Sequence, residues 1–385
     1  MVRFKVCVVT GSRAEYGLLS GVLHFIQADD QLHLQVIATG MHLSPEFGLT
    51  FRAIEEDGFP ITEKVEMLLS SDTSVGVVKS IGLGCIGFAD ALQRLQPDVV
   101  MVVGDRFEIY AAVQAAFFAR IPIAHIAGGD ITEGAFDDAM RHSITKMATL
   151  HFVTNEASRR RVCQLGEDSA LVFNVGHPGI DAIHSLILLT RDELERVLGF
   201  RFQKRNLLIT YHPVTLSDID PIVEIRELLN ALDRVGKDTG ILFTKSNADP
   251  NGRLFAQMVD DFVSSHANSA SYTTLGQLQY FSLVNLVDIV VGNSSSGICE
   301  VPSLKKPTLD IGDRQKGRLR GNSVIHCDAR TDVILEAILS AYAMDCTHVE
   351  NPYGDGTSSK SIVREVKQHL HLGLNHRKHF FEVGK

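Results

Sequence analysis

An apolar run breaks into small hydroxyl residues and then resumes within the stretch VVGNSSSGICE, at Val290–Glu300. The pattern predicts a buried strand that ends in a serine-rich turn and opens directly into a helix. Such a junction directs backbone N–H groups and the Ser294–Ser296 hydroxyls to one place, which suits a phosphate, with Asn293 and Gly297 beside them. Glu300 falls one turn into the helix, where a carboxylate can accept the hydroxyls of a ribose. The stretch is therefore either a nucleoside diphosphate site or a capped helix with a solvated serine turn.

Apolar runs alternate with amphipathic helical stretches almost from end to end of the chain. Strands are predicted in the first half at Phe4–Thr10, Leu34–Gly40, Asp98–Gly104, Ile121–Ile126 and Leu150–Thr154. The pattern restarts after Pro178, with strands predicted at Asn206–Tyr211, Ile241–Thr244, Asp288–Val291 and Thr308–Ile311. Continuous apolar strands that alternate with helices indicate parallel sheets covered on both faces. The chain is therefore predicted to form two Rossmann-like, doubly wound α/β domains with a ligand cleft between them.

The predicted domain boundaries follow the break in this strand pattern. Residues 1–177 form the N-terminal domain and residues 178–359 form the C-terminal domain. A last helix within residues 360–385 is expected to pack back on the first domain. A chain of 385 residues with 45% hydrophobic content is long enough to bury the cores of two such domains.

Charge and cysteine content restrict the classes of partner and the compartment. A formal charge of -9 argues against general binding to nucleic acids or to membrane surfaces. The six cysteines contain no CxxC pair, which favours reduced thiols over a disulfide framework or a metal site. The N-terminus lacks the apolar core of a signal peptide, and no apolar stretch approaches the ~20 residues of a membrane span. We therefore expect a cytoplasmic protein.

Two short motifs follow predicted strands of the first domain. GSRAEYG, at Gly11–Gly17, is a glycine turn into a helix, although it is not the GxGxxG of dinucleotide sites. Its Arg13 either contacts a phosphate through its planar guanidinium or is a solvated side chain beside a capped turn. Asp105 stands at a predicted strand end, where a carboxylate in apolar surroundings is costly without a partner. Arg106 is either that partner, in a structural ion pair, or a contact to the substrate.

The segment from His125 to His142 is the richest in reactive side chains. It turns on two glycines, enters a helix near Asp137, and contains four carboxylates, two histidines and one arginine. This density is hard to explain by packing and is typical of proton transfer, which needs carboxylates near a substrate carbon. The alternatives are a helix-capping Asp130 and a surface ion pair between Asp137 and Arg141. The candidates are Asp130, Glu133 and Asp137 for catalysis, and Arg141 and His142 for substrate binding.

Three segments of the C-terminal domain complete the candidate site. His212 comes just past a predicted strand, where a histidine hydrogen-bonds a phosphate, shuttles a proton or is a satisfied loop residue. Asn247 follows another strand end and is expected to line the same cleft. The loop Asp313–Gly321 is densely basic in an acidic protein, so Arg314 and Lys316 either neutralise a diphosphate or are solvated.

In their order and spacing, the motifs resemble the hydrolysing UDP-N-acetylglucosamine 2-epimerases of bacterial sialic acid synthesis. Similar enzymes act on UDP-N,N'-diacetylbacillosamine on the way to legionaminic acid. Beside the stretches already quoted, the likeness rests on TGMH at Thr39–His42, GDRFE at Gly104–Glu108, GGDITEGAFDD at Gly128–Asp138, RHSITKM at Arg141–Met147, HPVTLS at His212–Ser217, GNSSSGICEVPSL at Gly292–Leu304 and GDRQKGR at Gly312–Arg318.

The resemblance implies a two-lobed, glycosyltransferase-B-like fold, a UDP-sugar substrate and no redox cofactor. The sequence itself shows no ligand pattern for a metal ion. The reaction it implies is elimination of UDP to a 2-acetamidoglucal, followed by hydration to N-acetylmannosamine. A homodimer or homotetramer is also implied. By position, the resemblance assigns proton transfer to Asp105 and Asp137. It assigns binding of the ribose to Glu300. Binding of the diphosphate is assigned to His212, Arg13, Ser294, Ser295 and Ser296.

One position departs from the family pattern. Many members carry a glutamate three residues before the position of Asp130, where this chain has Ala127. Either Asp130 or Glu133 then takes over the role of that glutamate, or the role is not required. The base that removes the proton from carbon 2 is left open between them.

Three other functions fit the same architecture. A nucleotide-sugar glycosyltransferase would not need the carboxylate-rich segment after Ile126. A non-hydrolysing epimerase would return UDP to the glucal. A binding protein without catalysis would hold UDP and not turn over, and Ala127 is the feature that keeps this last alternative open.

Overall fold

Two parallel sheets organise the chain, one of seven strands and one of six. The computed structural model describes residues 3–69, 71, 73–132, 137–213, 220–245, 252–273, 275–375 and 377–382. The predicted fold class, two parallel-sheet α/β domains, is confirmed.

The first sheet is formed by the N-terminal part of the chain. Its strands are β1 (Phe4–Thr10), β2 (Leu32–Thr39), β3 (Glu63–Val65), β4 (Val99–Val103), β5 (Ile123–Ile126), β6 (Leu150–Val153) and β7 (Val172–Asn174). Its helices are α1 (Arg13–Ala28), α2 (Phe51–Glu56), α3 (Ser74–Leu95), α4 (Phe107–Phe118), α5 (Asp137–Met147), α6 (Glu156–Gln164) and α7 (Pro178–Ser185). The strand order is β3-β2-β1-β4-β5-β6-β7, and all pairings are parallel.

The second sheet repeats the arrangement with six strands. These are β8 (Arg205–Thr210), β9 (Thr239–Thr244), β10 (Ser269–Tyr272), β11 (Ile289–Gly292), β12 (Thr308–Ile311) and β13 (Val324–Cys327). The helices are α8 (Arg191–Leu198), α9 (Pro221–Asp233), α10 (Gly252–Ser265), α11 (Gly276–Leu286), α12 (Ser295–Cys299) and α13 (Thr331–Tyr342), and α14 (Ser358–Leu372) returns to the first sheet. The strand order is β10-β9-β8-β11-β12-β13, again wholly parallel.

Alternate residues of β1 show why the sheet strands are continuously apolar. Val6 and Val8 belong to the core under α1 and α14, whereas Cys7 and Val9 belong to the core under α3 and α4. Because successive side chains point to opposite faces, every side chain of a strand covered on both faces is buried, and apolar residues are favoured at all positions. This is the physical basis of the continuous apolar runs in the sequence.

The sequence-based strand assignment missed four strands, and they are the edges of the two sheets. β3, β7, β10 and β13 are three or four residues long and stand at the ends of the strand orders. Each includes partly or fully exposed positions, so none shows the continuous apolar run of an internal strand. All nine predicted strands are present, with ends shifted by up to two residues.

Packing divides the chain at places that differ slightly from the predicted boundaries of 177 and 359. The first unit contains the described residues up to Asp130, then Asp137–Ala182, and those from Tyr353 onward, while residues 183–352 form most of the second. The outgoing and returning segments meet within the first unit, because His177 N donates to Tyr353 O at 2.7 Å. The α14 side chains Ile362, Val363, Val366 and Leu370 then join the core beneath α1.

Helix α3 corrects the expectation that no apolar stretch has the length of a membrane span. It has 22 residues, and its most apolar 18-residue window has a mean hydropathy of 1.6, which meets the length and composition of a spanning helix. Only 33% of its most apolar window is buried. Its buried face, which includes Phe88 and Leu92, packs in the core that covers the first sheet. The helix therefore belongs to the helical layer of an α/β unit.

Gly292 ends β11 at a point where no other residue fits. Its φ is +143°, and a Cβ atom there would lie 1.9 Å from the carbonyl oxygen of Thr210 on the neighbouring strand β8. The two strands therefore run together until the last residue of β11, and glycine is required for that approach.

We predict that Gly292→Ala lowers the free energy of unfolding of the second unit by at least about 3 kcal/mol, through strain and overpacking. Urea denaturation followed by circular dichroism measures the loss. The control is Gly82→Ala, at an open position of helix α3, which should be neutral or stabilising by up to about 1 kcal/mol. Equal stability of Gly292→Ala and the parent protein would contradict the geometry.

Candidate active site

Each sheet reverses its strand order at one place. In the first sheet the chain winds outward in both directions from the pair β1 and β4, and in the second from β8 and β11. Connections leave such a pair on opposite faces, so a crevice opens at the carboxyl edge. The predicted residues follow these strands: Arg13 follows β1, Asp105 and Arg106 follow β4, His212 follows β8, and Asn293 to Ser296 follow β11.

The turn after β1 is fixed by a capping box at the start of α1. Ser12 caps the helix, and the Glu15 carboxylate reaches back to accept the N–H groups of Gly11 and Ser12 at 2.7 and 3.1 Å. Arg13 is therefore held at the first helical position and is partly buried. Burial lowers the pKa of its guanidinium, and the nearby negative charge of Asp57 acts in the opposite direction. An arginine remains cationic under these conditions and can meet an anion at this edge.

Arg141 joins the turn after β4 to helix α5. Its guanidinium, 3% exposed, forms an ion pair with the Asp105 carboxylate and donates to the backbone oxygen of Asp130 at 2.8 Å. A weaker contact of 3.5 Å reaches Asp138 on the same helix. The suggested partnership of Asp105 with the adjacent arginine is thus replaced by a pair 36 residues apart in sequence. As a result, Asp105 is brought to the helix that begins at Asp137.

Arg106 has a different carboxylate partner. Its Nε and Nη2 atoms each lie 3.3 Å from an oxygen of Glu108, a side chain with no exposed surface. A fork of this kind fixes the plane of the guanidinium. Glu15 and Glu108 are functional-site neighbours that the sequence analysis missed, although both lie inside quoted motifs. The signal was available, because each is an acidic residue in the first turn of a helix that follows a buried strand.

Asp130 is anchored to the turn between β6 and α6. Its Oδ1 atom accepts hydrogen bonds from the Thr154 hydroxyl at 3.0 Å, the Ser158 hydroxyl at 2.6 Å and the Asn155 amide at 3.5 Å. The side chain is buried. These contacts favour an anchoring role, and they do not include the capping of α5. Catalysis by Asp130 stays a prediction, and Glu133 lies outside the described residues.

The two histidines at the ends of the stretch His125–His142 are held largely neutral by their surroundings. His125 Nε2 lies 2.8 Å from the carbonyl oxygen of Gly104, and burial lowers the pKa of His125 to about 3. It therefore donates to Gly104 and fixes the turn that precedes Asp105. His142 is half-buried, 3.5 Å from Asp138, and burial lowers its pKa more than Asp138 raises it.

Asn293 connects the strand ends of the second unit. Its Oδ1 accepts the backbone N–H of His212 at 2.7 Å, and its Nδ2 donates to the backbone oxygen of His212 at 2.8 Å. Its own carbonyl oxygen accepts from Arg314 at 3.0 Å and from Gln315 at 2.8 Å. This buried residue thus joins the turns after β8 and β11 through its side-chain amide, and the turn after β12 through its backbone carbonyl oxygen.

The serine turn after β11 is an ordered hydrogen-bonded chain. Ser294 caps α12 by accepting from Ser296 N at 3.4 Å. The hydroxyl of Tyr280 donates to Ser296 Oγ at 3.0 Å, and Ser296 in turn donates to the buried carboxylate of Glu300. Glu300 is thereby aligned with the turn, and its role in binding a ligand stays a prediction. The turn itself, including Ser295, is partly exposed.

The remaining candidates are less closely connected. Gly297 lies against Thr308, where a Cβ atom would come within 2.7 Å of Cγ2, so its small size serves packing. Lys316 is exposed and lies 3.7 Å from Asp313. Asn247 falls outside the described residues. Among the residues that the structure describes, no cluster of three or more His, Cys, Asp or Glu side chains could hold a metal ion.

We predict that Asn293→Asp destabilises the second unit by about 3 kcal/mol, because the His212 carbonyl loses its donor and a buried charge replaces an amide. The free energy of unfolding in urea measures this effect. Asn322→Asp makes the same chemical change at an exposed position and should alter stability by less than about 0.5 kcal/mol. Similar effects of the two substitutions would show that Asn293 does not connect the turns.

Solved structures share this fold over nearly the whole chain. UDP-GlcNAc 2-epimerase from Neisseria meningitidis, bound to UDP-GlcNAc, superimposes with a TM-score of 0.81 at 23% identity and covers 95% of this chain and 100% of its own. A UDP-N-acetylglucosamine 2-epimerase structure from Listeria monocytogenes gives 0.80 at 18% identity, with 99% and 100% coverage. At these identities the similarity shows the fold alone.

Sequence relatives are closer. The GDP/UDP-N,N'-diacetylbacillosamine 2-epimerase (hydrolyzing) of Campylobacter jejuni is 43% identical over 84% of this chain and 84% of its own. Polysialic acid biosynthesis protein P7 of Escherichia coli is 34% identical, with 98% and 97% coverage. The UDP-N,N'-diacetylbacillosamine 2-epimerase of Legionella pneumophila is 33% identical, with 95% and 96% coverage. Because the sequence profile of the family also matches residues 24–367, the chain belongs to the UDP-N-acetylglucosamine 2-epimerase family.

Proposed function

We propose that the protein is a hydrolysing UDP-sugar 2-epimerase. The observation that carries the proposal is the ion pair between Asp105 and Arg141, which brings the β4 carboxylate to the helix that begins at Asp137. Carboxylates from two separate motifs are thereby associated with one sheet edge, where a sugar carbon can meet both a base and an acid. The family membership and the hydrolysing relatives support the same reaction.

The reaction proceeds by elimination and then addition of water. A carboxylate removes the proton from carbon 2, the bond from carbon 1 to the phosphate oxygen breaks, and UDP leaves with that electron pair. The double bond between carbons 1 and 2 is the 2-acetamidoglucal. A proton then returns to carbon 2 from the opposite face and a water oxygen bonds to carbon 1, which gives the free 2-epimeric sugar. We assign these proton transfers to Asp105 and Asp137.

Stabilisation of the leaving group is the other half of the mechanism. The proton on carbon 2 is weakly acidic, so its removal must be coupled to the departure of a stabilised anion. We assign the diphosphate to Arg13, His212 and the serine turn, and the ribose to Glu300. The alignment of Glu300 by Ser296 and the connection of His212 to the serine turn through Asn293 support this assignment. Such preformed contacts need little reorganisation as charge develops.

We propose a nucleotide-linked N,N'-diacetylbacillosamine as the preferred donor. Two relatives named as N,N'-diacetylbacillosamine 2-epimerases are 43% and 33% identical to this chain. UDP-N-acetylglucosamine is the second candidate, which the 34% identical polysialic acid biosynthesis protein supports. The two sugars differ at carbons 4 and 6, so the choice depends on side chains around those positions.

The test is to incubate the enzyme in heavy water with UDP-N-acetylglucosamine, UDP-N,N'-diacetylbacillosamine and GDP-N,N'-diacetylbacillosamine in turn. NMR should detect free 2-epimeric sugar with deuterium at carbon 2, together with released nucleotide. A 2-epimerised product that keeps its nucleotide would indicate the non-hydrolysing reaction. Absence of both exchange and free sugar with all three donors would contradict the proposal and favour a transferase or a binding protein.

We predict that Asp105→Asn and Asp137→Asn each reduce kcat by about 10²–10⁴-fold, because charge is removed while shape is kept. UDP affinity, measured by calorimetry, should change by less than about 3-fold in both. Glu300→Ala should instead weaken UDP binding by about 10-fold or more. Asp332→Asn, at a side chain that is 85% exposed, is the control and should keep the parent kinetics. Near-normal turnover of both catalytic variants would overturn the role assignments.

We also propose a homodimer or homotetramer, and a cytoplasmic location. Large apolar side chains exposed on helix α3, such as Val78 at 68% and Ile86 at 67%, support association between copies. We predict that Ile86→Glu shifts the protein toward monomer in sedimentation velocity, because a charge at a buried interface lacks a partner. Leu339→Glu, which is 59% exposed on α13, is the control. An unchanged sedimentation profile of Ile86→Glu would exclude this face.

A further inference from the structure

Two buried acidic side chains meet behind the turn that follows β1. Glu15 comes from α1 and Glu108 from α4, and their side chains are 6% and 0% exposed. Gly11 lies between them: a Cβ atom there would be 3.0 Å from Glu108 Cβ and 3.3 Å from Glu15 Oε2. Gly40 also leaves space for the Glu108 side chain, since a Cβ atom there would lie 2.7 Å from Glu108 Cγ. Two bare backbone positions therefore admit two carboxyl groups into one small space.

The two carboxyl groups have different sets of partners. Glu108 holds the guanidinium of Arg106 through two contacts of 3.3 Å. Glu15 Oε2 accepts two backbone N–H groups, from Gly11 and Ser12. Glu15 Oε1 is buried and has no hydrogen-bond partner among the residues that the structure describes. One carboxylate is thus balanced by a cation, whereas the other has only backbone dipoles.

The charges that face this pair do not neutralise it. From the β4 turn come Arg106, which is committed to Glu108, and Asp105, whose own ion pair is with Arg141. From the turn after β2 comes His42, whose Nε2 lies 3.0 Å from the Thr10 hydroxyl and whose Nδ1 lies 2.8 Å from the Thr50 hydroxyl. Burial lowers the pKa of His42 to about 4, so it carries no charge at neutral pH. Two buried carboxylates therefore share the field of one adjacent guanidinium, which is costly if both are ionised.

We propose that Glu15 carries a proton beside Glu108 and that the two act as positioning residues for the turns that carry Arg13 and Arg106. The effect on activity rests on the proposed function. The proton resides on Glu15 Oε1, because Oε2 accepts both backbone N–H groups. While Glu15 is protonated, Glu108 is the negatively charged group of the pair, and it holds the Arg106 guanidinium. When the proton is lost, two buried anions repel across Gly11 and both turns shift.

The electrostatics of Glu15 give the direction of the pH dependence. Burial, and then the negative charge of Glu108, raise the pKa of Glu15 to about 8. A carboxyl whose pKa is higher in the folded than in the unfolded chain stabilises the fold fully below the unfolded value. That contribution is lost as pH rises through about 8. Stability and the geometry of the turns should therefore decline together on the alkaline side.

The first test needs no turnover. Thermal unfolding is measured from pH 6 to 9.5 for the parent protein, Glu15→Gln, Glu108→Gln and the control Glu63→Gln, which removes a partly exposed carboxylate paired with Arg94. The parent and the control should lose about 2–4 °C between pH 7 and 9 relative to Glu15→Gln. Glu108→Gln should also flatten the dependence of the melting temperature on pH. In that variant the Glu15 carboxylate faces the Arg106 guanidinium without a second negative charge, so it no longer needs a proton. If Glu15→Gln does not fold, the Glu108→Gln slope decides alone.

The second test follows kcat/KM over the same pH range. The parent should show an alkaline limb near pH 8 that Glu15→Gln lacks. Glu108→Gln should lose about 10-fold or more at pH 7, because Arg106 is no longer oriented, while UDP affinity is kept. Parent-like melting slopes or an unshifted alkaline limb in Glu15→Gln would overturn the inference. Flattened melting slopes in an enzyme without turnover on any donor would overturn the proposed function alone.

Discussion

Parallel pairing of every strand is the constraint on which the rest of the molecule depends. It places all carboxyl ends of a sheet at one edge, and the outward winding from one strand pair opens that edge. Turns that are distant in sequence are then neighbours in space. In the first unit these are the turns after β1, β4 and β5, and in the second those after β8, β11 and β12. Within each unit, the candidate residues stand almost entirely in these turns.

Buried polar contacts fix the positions of the side chains and backbone in neighbouring turns. Arg141 fixes Asp105, Arg106 is fixed by Glu108, and the amide of Asn293 fixes the backbone of His212. A buried charge or amide is costly unless its partners are in place, so each pair admits few alternative arrangements. The pairs contribute less to net stability than to specificity of the fold, since desolvation offsets much of their attraction. That property suits a site in which proton acceptors must be held at defined positions.

The sequence predicted the internal strands and the turns that carry chemistry because both leave local signals. An internal strand such as β4 is apolar at every position, and a glycine or a charged residue ends it. The edge strands were missed because their half-exposed residues lack that signal. Partner choice was missed for another reason. Helical spacing suggested Asp137 as a partner of Arg141 but gave no sign of Asp105, which the sheet brings to Arg141 from 36 residues away in sequence. Such pairings depend on tertiary approach and have no local pattern.

The turn after β5 shows how the departure at Ala127 can be accommodated. Ala127 has a φ of +62°, a left-handed conformation that costs a non-glycine residue about 1 kcal/mol. Its N–H nevertheless donates to Phe152 O at 2.8 Å, so pairing with the neighbouring strand determines the turn. The methyl side chain of Ala127 cannot act as an acid or a base. One oxygen of Asp130 already accepts three hydrogen bonds and the side chain is buried, which favours an anchoring role, while its catalytic role stays a prediction. We propose that the carboxylates of Asp105 and Asp137 move the proton at carbon 2. The departure therefore concentrates the proposed chemistry on the β4 turn and the start of α5, the two elements that Arg141 joins.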